Sequence, residues 1–175
     1  MSFGSPDYAA AFFALHSDLE REAPGGRAET LRALAIANPK PDARILDHGC
    51  GPGPASEALL EALPKARVTA IDLHAPFVEH ARKRAAAIGA EDRFEGVVGD
   101  MTAPPASAGS VDLICSEGAI YNIGVTVGLS KWKPLLAPGG RIAFTEIAWL
   151  TDAPSPQAAE FWRAYPAMTD LDGLK

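Results

Sequence analysis

A chain of 175 residues, 47% hydrophobic and 22% charged, has the size and balance of one globular domain with a core of its own. Sixteen Lys+Arg against 22 Asp+Glu leave a net charge of −6, which argues against a general nucleic-acid binder, because neutralising phosphates needs a basic face. No apolar run reaches the roughly 18 residues of a membrane span. The start, Met1 to Asp7, lacks the basic and apolar regions of a secretory signal, and Cys50 and Cys115 make no disulfide framework, so a cytoplasmic, reduced setting is expected.

Asp7 to Glu22 reads as a helix with Tyr8, Phe12, Leu15 and Leu19 on one face, broken at Pro24-Gly25-Gly26. A second helix is expected from Arg27 to Ala37, stopped by Asn38-Pro39-Lys40-Pro41. Together residues 1–42 form an N-terminal helical cap, either plain packing or a lid. Ala43 to Asp47 reads as a short buried strand that runs into glycines at 49, 51 and 53, and Pro54 opens a helix. Arg67 to Asp72 is a second strand, and Pro76 to Ile88 a helix with Phe77, Ala81, Ala85 and Ile88 inward. Its Arg82-Lys83-Arg84 run reads as a solvated face. Arg93 to Val98, Val111 to Cys115 and Arg141 to Trp149 give three more strands. Helices are expected from Val125 to Leu136 and from Ser155 to about Ala167. Strands alternating with helices predict an α/β, doubly wound sheet of five parallel strands with helices on both faces, formed by residues 43–175.

In such sheets ligands lie at the carboxyl ends of the strands, where the strand order reverses. Three strand-end acids, Asp47, Asp72 and Asp100, and the Ser116-Glu117 turn gather there. Bare backbone at Gly49, Gly51 and Gly53 lets a nucleotide-like ligand approach closely. The dinucleotide fingerprint wants glycine at the sixth position, where Pro54 stands, and Asp47 would repel a pyrophosphate but hold an amino-bearing ligand. Asp72 lies nineteen positions past Gly53, near the spacing at which an acid reaches a ribose diol. His48 is expected to make a loop-stabilising hydrogen bond, His74 to border the ligand, and His16 and His80 to be structural or exposed. Cys50 fits the loop by size, and no residue set has metal-ligand spacing.

Asp47-x-Gly49-x-Gly51-x-Gly53, Gly99-Asp100-Met101 and Pro138-Gly139-Gly140 together resemble the motifs of class I S-adenosylmethionine-dependent methyltransferases. Ser116 to Gly124 is similar to a bacterial small-molecule group distantly related to the ubiquinone/menaquinone biosynthesis enzymes. The resemblance implies a Rossmann-like fold and S-adenosylmethionine as cofactor. It implies a site of Asp47, Gly49, Cys50, Gly51, Asp72, Leu73, Asp100, Met101, Ser116 and Glu117. Ribose would sit on Asp72, adenine near Asp100 and Met101, and the methionine end on the glycine loop. Asn or Asp followed by Pro-Pro-Tyr/Phe, the mark of DNA amino-methyltransferases, is absent after the fourth strand, so a small-molecule acceptor is expected. Its pocket would hold Glu117 as candidate general base, with Tyr121 and Asn122 orienting. The alternatives are a non-catalytic cofactor-binding or interaction module and a nicotinamide-dependent oxidoreductase. The resemblance also implies a C-terminal strand pair for which no residues remain after the last helix, which predicts a bare fifth-strand edge and either self-association through it as a homodimer or a marginally stable fragment of a longer protein.

Overall fold

The computed structural model describes residues 11, 14–16 and 19–174, and divides into two compact units, Met1–Thr145 and Glu146–Lys175. In the first, β1 (Arg44–His48), β2 (Arg67–Asp72), β3 (Phe94–Val98), β4 (Val111–Ser116) and β5 (Leu136–Phe144) form one five-stranded sheet. Its order is β3-β2-β1-β4-β5 and every pairing is parallel. The order reverses between β1 and β4. Four of the five residues of β1 are buried, as a central parallel strand with both faces covered requires.

The helices are α1 (Arg27–Ala37), α2 (Pro54–Ala62), α3 (Ala75–Ala87) and α4 (Val125–Trp132). Alternate strand residues point to opposite faces, and the core divides accordingly. Ile45, Leu113 and Cys115 pack with Leu59 and Leu60 of α2 and Ala85 of α3. Leu46 and Ile114 pack with Ile120 and with Trp132 of α4. The doubly wound α/β sheet of five parallel strands is therefore the observed architecture.

Two expectations change at the level of elements, at the first helix and at the fifth strand. The helix expected over Asp7 to Glu22 falls partly outside the described residues; residues 11 and 14–16 are helical, and residues 19–26 are not. Arg82 and Lys83 of the basic run are exposed, as expected, and Arg84 is half-buried. Arg84 donates to Glu57 at 2.8 Å and to the Glu20 carbonyl at 3.2 Å, and Arg82 to the Gly96 carbonyl at 2.6 Å. The fifth strand starts earlier and ends earlier than its apolar run, because Leu136 already pairs with Val111 across a bulge. Ala148–Trp149 belongs instead to the second unit as β6, paired in parallel with β7 (Thr169–Asp170). That unit also holds α5 (Pro156–Phe161), N-capped by Ser155, whose Oγ accepts from the Ala158 amide at 3.2 Å. No helix among the described residues is long and apolar enough to cross a membrane.

Candidate functional site

The site grows out of the turn between β1 and α2. Gly49 and Cys50 both donate their amides to the Ile71 carbonyl of β2, at 2.8 and 3.0 Å, which folds the loop back over the sheet end. Gly53 has φ +89°, and a Cβ there would lie 2.7 Å from the Ala81 Cα, so it sets how closely α3 approaches. Pro54 then occupies the first turn of α2, where its missing N–H costs nothing.

Two cavities open on this loop. The larger, about 480 Å³, lies at the carboxyl ends of the strands and falls in the range of small-molecule pockets. Gly49, Gly51, Asp72, Leu73, Asp100 and Met101 line it on one side. Glu117, Tyr121 and Asn122, which follow β4, line it on another. Asp72 is held firmly: its Oδ2 accepts from the Gly51 amide at 3.0 Å and its Oδ1 from the His74 amide at 2.9 Å. Each carboxylate oxygen keeps further acceptor capacity toward the cavity. Asp100 accepts from the Thr102 amide at 2.7 Å, and Met101 accepts through its carbonyl from Trp132 Nε1 at 2.8 Å.

Three of the site residues expected from sequence lie outside the larger cavity. Ser116 is fully buried and its Oγ donates to the His48 carbonyl at 3.0 Å, stitching β4 to β1 at the switch point. Asp47 and Cys50 line a smaller cavity of about 20 Å³, shared with Arg21, Glu22 and Glu117. Asp47 is 1% exposed and accepts from Ser56 Oγ at 2.6 Å. Burial pushes its carboxyl up to about 6 against the pull of that hydrogen bond, with Glu117 and Asp72 adding to the rise. The Cys50 thiol is pushed up by burial and by the charges of Asp47 and Asp72, so it stays protonated and unreactive.

His48 makes no loop-stabilising bond. Its ring is buried against Trp132, centroids 4.6 Å apart, and neither nitrogen has a hydrogen-bond partner among the described residues. Burial lowers it to about 4, which keeps it neutral. His74 lines the larger cavity.

Sequence reasoning missed the wall supplied by the N-terminal segment. His16 and Glu22 line the larger cavity, with Nδ1 and Oε2 2.5 Å apart. Arg21 reaches Glu117 Oε2 at 2.7 Å, Thr30 Oγ1 at 3.0 Å and the Gly26 carbonyl at 3.2 Å, and Thr30 also donates to Glu117 at 3.0 Å. Glu117 therefore already has two donors on one oxygen. Gly118 completes the seam: a Cβ there would meet the Ala23 Cβ at 2.6 Å. The available signal was that Arg21 is the first Lys or Arg of the chain.

A family model described as a methyltransferase domain matches residues 45–140. The chain belongs to that methyltransferase family. It is 33% identical over 157 residues to a malonyl-(acyl-carrier protein) O-methyltransferase of Enterobacter lignolyticus, covering 89% of this chain and 56% of that protein. The chain thus spans about half the length of the curated relatives it matches. Among solved structures, a methyltransferase of Geobacter sulfurreducens in complex with S-adenosylhomocysteine superposes with a TM-score of 0.80 at 25% identity, over 94% of this chain and 67% of that one. A methyltransferase of Thiobacillus denitrificans, also with S-adenosylhomocysteine, gives 0.78 at 26%, over 93% and 66%.

Proposed function

We propose that this methyltransferase domain binds S-adenosylmethionine and positions its methyl group for transfer to a small-molecule acceptor. The observation that carries the reading is the convergence of Asp72, Asp100, Gly49 and Gly51 on one cavity of about 480 Å³ at the strand ends. Those residues suit the cofactor: Asp72 toward the ribose hydroxyls, Asp100 toward the adenine amine, Met101 against the ring face, and the glycine backbone toward the methionine end. The relatives solved with S-adenosylhomocysteine support the same ligand. Family membership speaks against the nicotinamide-dependent alternative.

Bound S-adenosylmethionine supplies a methyl group already activated by its sulfonium, so the protein's work is alignment and exclusion of water. Tyr121 and Asn122 border the acceptor end, and Asn122 Nδ2 is oriented by donating to the Ala119 carbonyl at 3.0 Å. Glu117 acts as the post to which the N-terminal segment is tied rather than as the base, because Arg21 and Thr30 share its Oε2.

The lining also bears on the acceptor. Glu22, Asp72, Asp100 and Glu117 face the larger cavity and, among the described residues, no Lys or Arg does. A neutral or cationic acceptor suits that field better than a free acid. Calorimetry with S-adenosylhomocysteine tests the cofactor assignment. Asp72→Ala in a folded variant should weaken binding by on the order of 1.5–3 kcal/mol, and unchanged affinity would remove Asp72 from the site.

A further inference from the structure

Glu117 is committed to the N-terminal segment through Oε2, so the proton of an acceptor has to be taken up by another group. That segment itself brings one to the larger cavity. His16 and Glu22 both line it, with side chains 27% and 20% exposed, and His16 Nδ1 stands 2.5 Å from Glu22 Oε2. Their placement is fixed from next door, since Glu22 follows Arg21, which is tied to Glu117 and Thr30. A carboxylate at Nδ1 holds the proton of a neutral ring there and leaves the lone pair on Nε2, the tautomer a general base needs. The same carboxylate stabilises the imidazolium once it forms. A Cβ on Gly51 would be 3.6 Å from Glu22 Cγ, and the Gly51 amide donates to Asp72 Oδ2 at 3.0 Å. Glu22 therefore lies over the junction of the glycine loop and Asp72. A ligand with its methionine end on the one and its ribose on the other has its sulfur at that junction.

We propose that His16, oriented by Glu22, is the general base of the methyl transfer, and that the acceptor is accordingly a neutral hydroxyl or an amine that must shed a proton. This rests on the cofactor reading above and deepens it. As the acceptor's oxygen or nitrogen bonds to the methyl carbon, the carbon–sulfur electron pair stays on sulfur as the thioether, and His16 Nε2 takes the acceptor's proton and later returns it to solvent. His16 is the catalytic residue of the pair and Glu22 its positioning residue. The acids around the cavity, Asp72, Asp100 and Glu117, favour the cation that His16 becomes.

The test is nitrogen NMR of the full chain carrying isotope-labelled histidine, with His16→Gln to assign the ring. In the parent the neutral His16 ring should carry its proton on Nδ1, and Glu22→Ala should return it to the free-imidazole mixture, in which Nε2–H predominates. S-adenosylmethionine and S-adenosylhomocysteine differ by one methyl group and the sulfonium charge. His16 should titrate at lower pH in the first complex than in the second, by about half a pH unit or more. Glu22, Asp72, Asp100, Glu117 and His74 face the cavity in both complexes, so the difference isolates the sulfonium. A pair that only staples the segment in place would show the tautomer without that difference. With any phenol, alcohol or primary amine that yields S-adenosylhomocysteine, His16→Gln should lower kcat by about a hundredfold and leave S-adenosylhomocysteine affinity within about twofold. A parent ring protonated on Nε2, equal titrations in the two complexes, or an undiminished kcat in His16→Gln would each overturn the proposal. Should Glu22→Ala fail to fold or no acceptor turn over, the parent's spectra with the two ligands decide alone. If the parent binds neither ligand, the cofactor reading itself fails, a result distinct from binding that His16 does not sense.

Discussion

The two walls of the larger cavity are built by different means. The sheet wall is made of strand ends whose positions are fixed by backbone pairing. Asp72 pairs with Val98 in β3, follows a strand registered on β1, and has both carboxylate oxygens held by amides. The N-terminal wall, of which residues 16 and 19–23 are described, has no strand among those residues and is held by side-chain bonds: Arg21 to Glu117 and Thr30, and Arg84 to the Glu20 carbonyl. Moving the first wall means breaking the sheet, whereas moving the second means breaking several hydrogen bonds. Such weakly held segments are where ligand-coupled motion is cheapest. The first wall therefore suits a fixed template for the nucleoside and the second a closing element.

That contrast is sharpest at Gly53, behind the sheet wall. Gly53→Ala places a Cβ 2.5 Å from the Ala81 Cβ and 2.7 Å from its Cα, at φ +89° where side chains are strained. Left-handed strain and overpacking against backbone together should cost about 3 kcal/mol. The check is the midpoint of denaturant unfolding; a variant as stable as the parent would mean that α3 can withdraw freely and that the sheet wall is softer than its pairing suggests.

A somewhat smaller effect separates two neighbours on β1. His48 stands near 4 in the folded protein against 6.5 when free, so the unfolded chain binds more protons between those values. Its contribution to stability is present above about 6.5 and is lost as pH falls toward 4. Asp47 runs the other way: at about 6 folded against 3.8 free, it costs stability as pH rises through that window. Going from pH 7.5 to 5, His48 should cost about 2 kcal/mol while Asp47 returns roughly 1 kcal/mol. In His48→Leu only the second survives, so the variant should gain about 2 kcal/mol on the parent over that interval. Parallel pH profiles for the two proteins would show that His48 is not the buried neutral group its packing on Trp132 indicates.

Glu117→Gln addresses the other wall. The side chain is 12% exposed and its Arg21 partner 14%, so removing the charge leaves a shielded guanidinium uncompensated. Gln still accepts from Thr30, which limits the loss to on the order of 1–2 kcal/mol. The sharper readout is local: limited proteolysis should cut within residues 16–26 faster in the variant, while sheet amides keep their hydrogen-exchange protection. Equal cleavage rates would mean the segment is held by something other than this tie.

The sheet wall was legible in the sequence because chain order itself encodes it. A buried strand followed by glycines, and acids at the ends of successive strands, fall at the same edge of any doubly wound sheet. Asp72, Asp100 and Glu117 could be placed by that rule alone. The N-terminal wall obeys no such rule, since Arg21 meets Glu117 across 96 positions of sequence and no periodicity marks it. Asp47 exposes a finer limit. Position put it at the strand end, but only coordinates reveal Ser56 Oγ folded over it and its side chain sealed from solvent. The end of the fifth strand was misread for a related reason: an apolar run does not say where pairing stops, and the bulge at Val111/Leu113 shifts the register.

The smallest expected effect comes from Asp47, which lies behind the glycine loop and outside the larger cavity. Its carboxyl lies in the small cavity with Arg21 and Glu22, and at about 6 it carries a proton through much of the mildly acidic range. A ligand that brings an ammonium and a sulfonium close to it favours the ionised form and so lowers that value on binding. Below about pH 6 the proton must leave for the cation to be received, and affinity falls there; above it the carboxylate is ready. Affinity for S-adenosylmethionine should therefore rise between pH 5 and pH 7, by about tenfold at most if binding restores an ordinary carboxyl value. Asp47→Asn should flatten the profile, although Ser56 would still hold the side chain in place. Methylthioadenosine, with no cation to offer, should show little of the trend in either protein. His16 and His74 also border the larger cavity, and any slope they contribute would persist in the Asp47→Asn variant. A rise that survives that substitution unchanged does not come from Asp47, and a flat profile in the parent would mean that this buried acid does not sense the charge of the bound ligand.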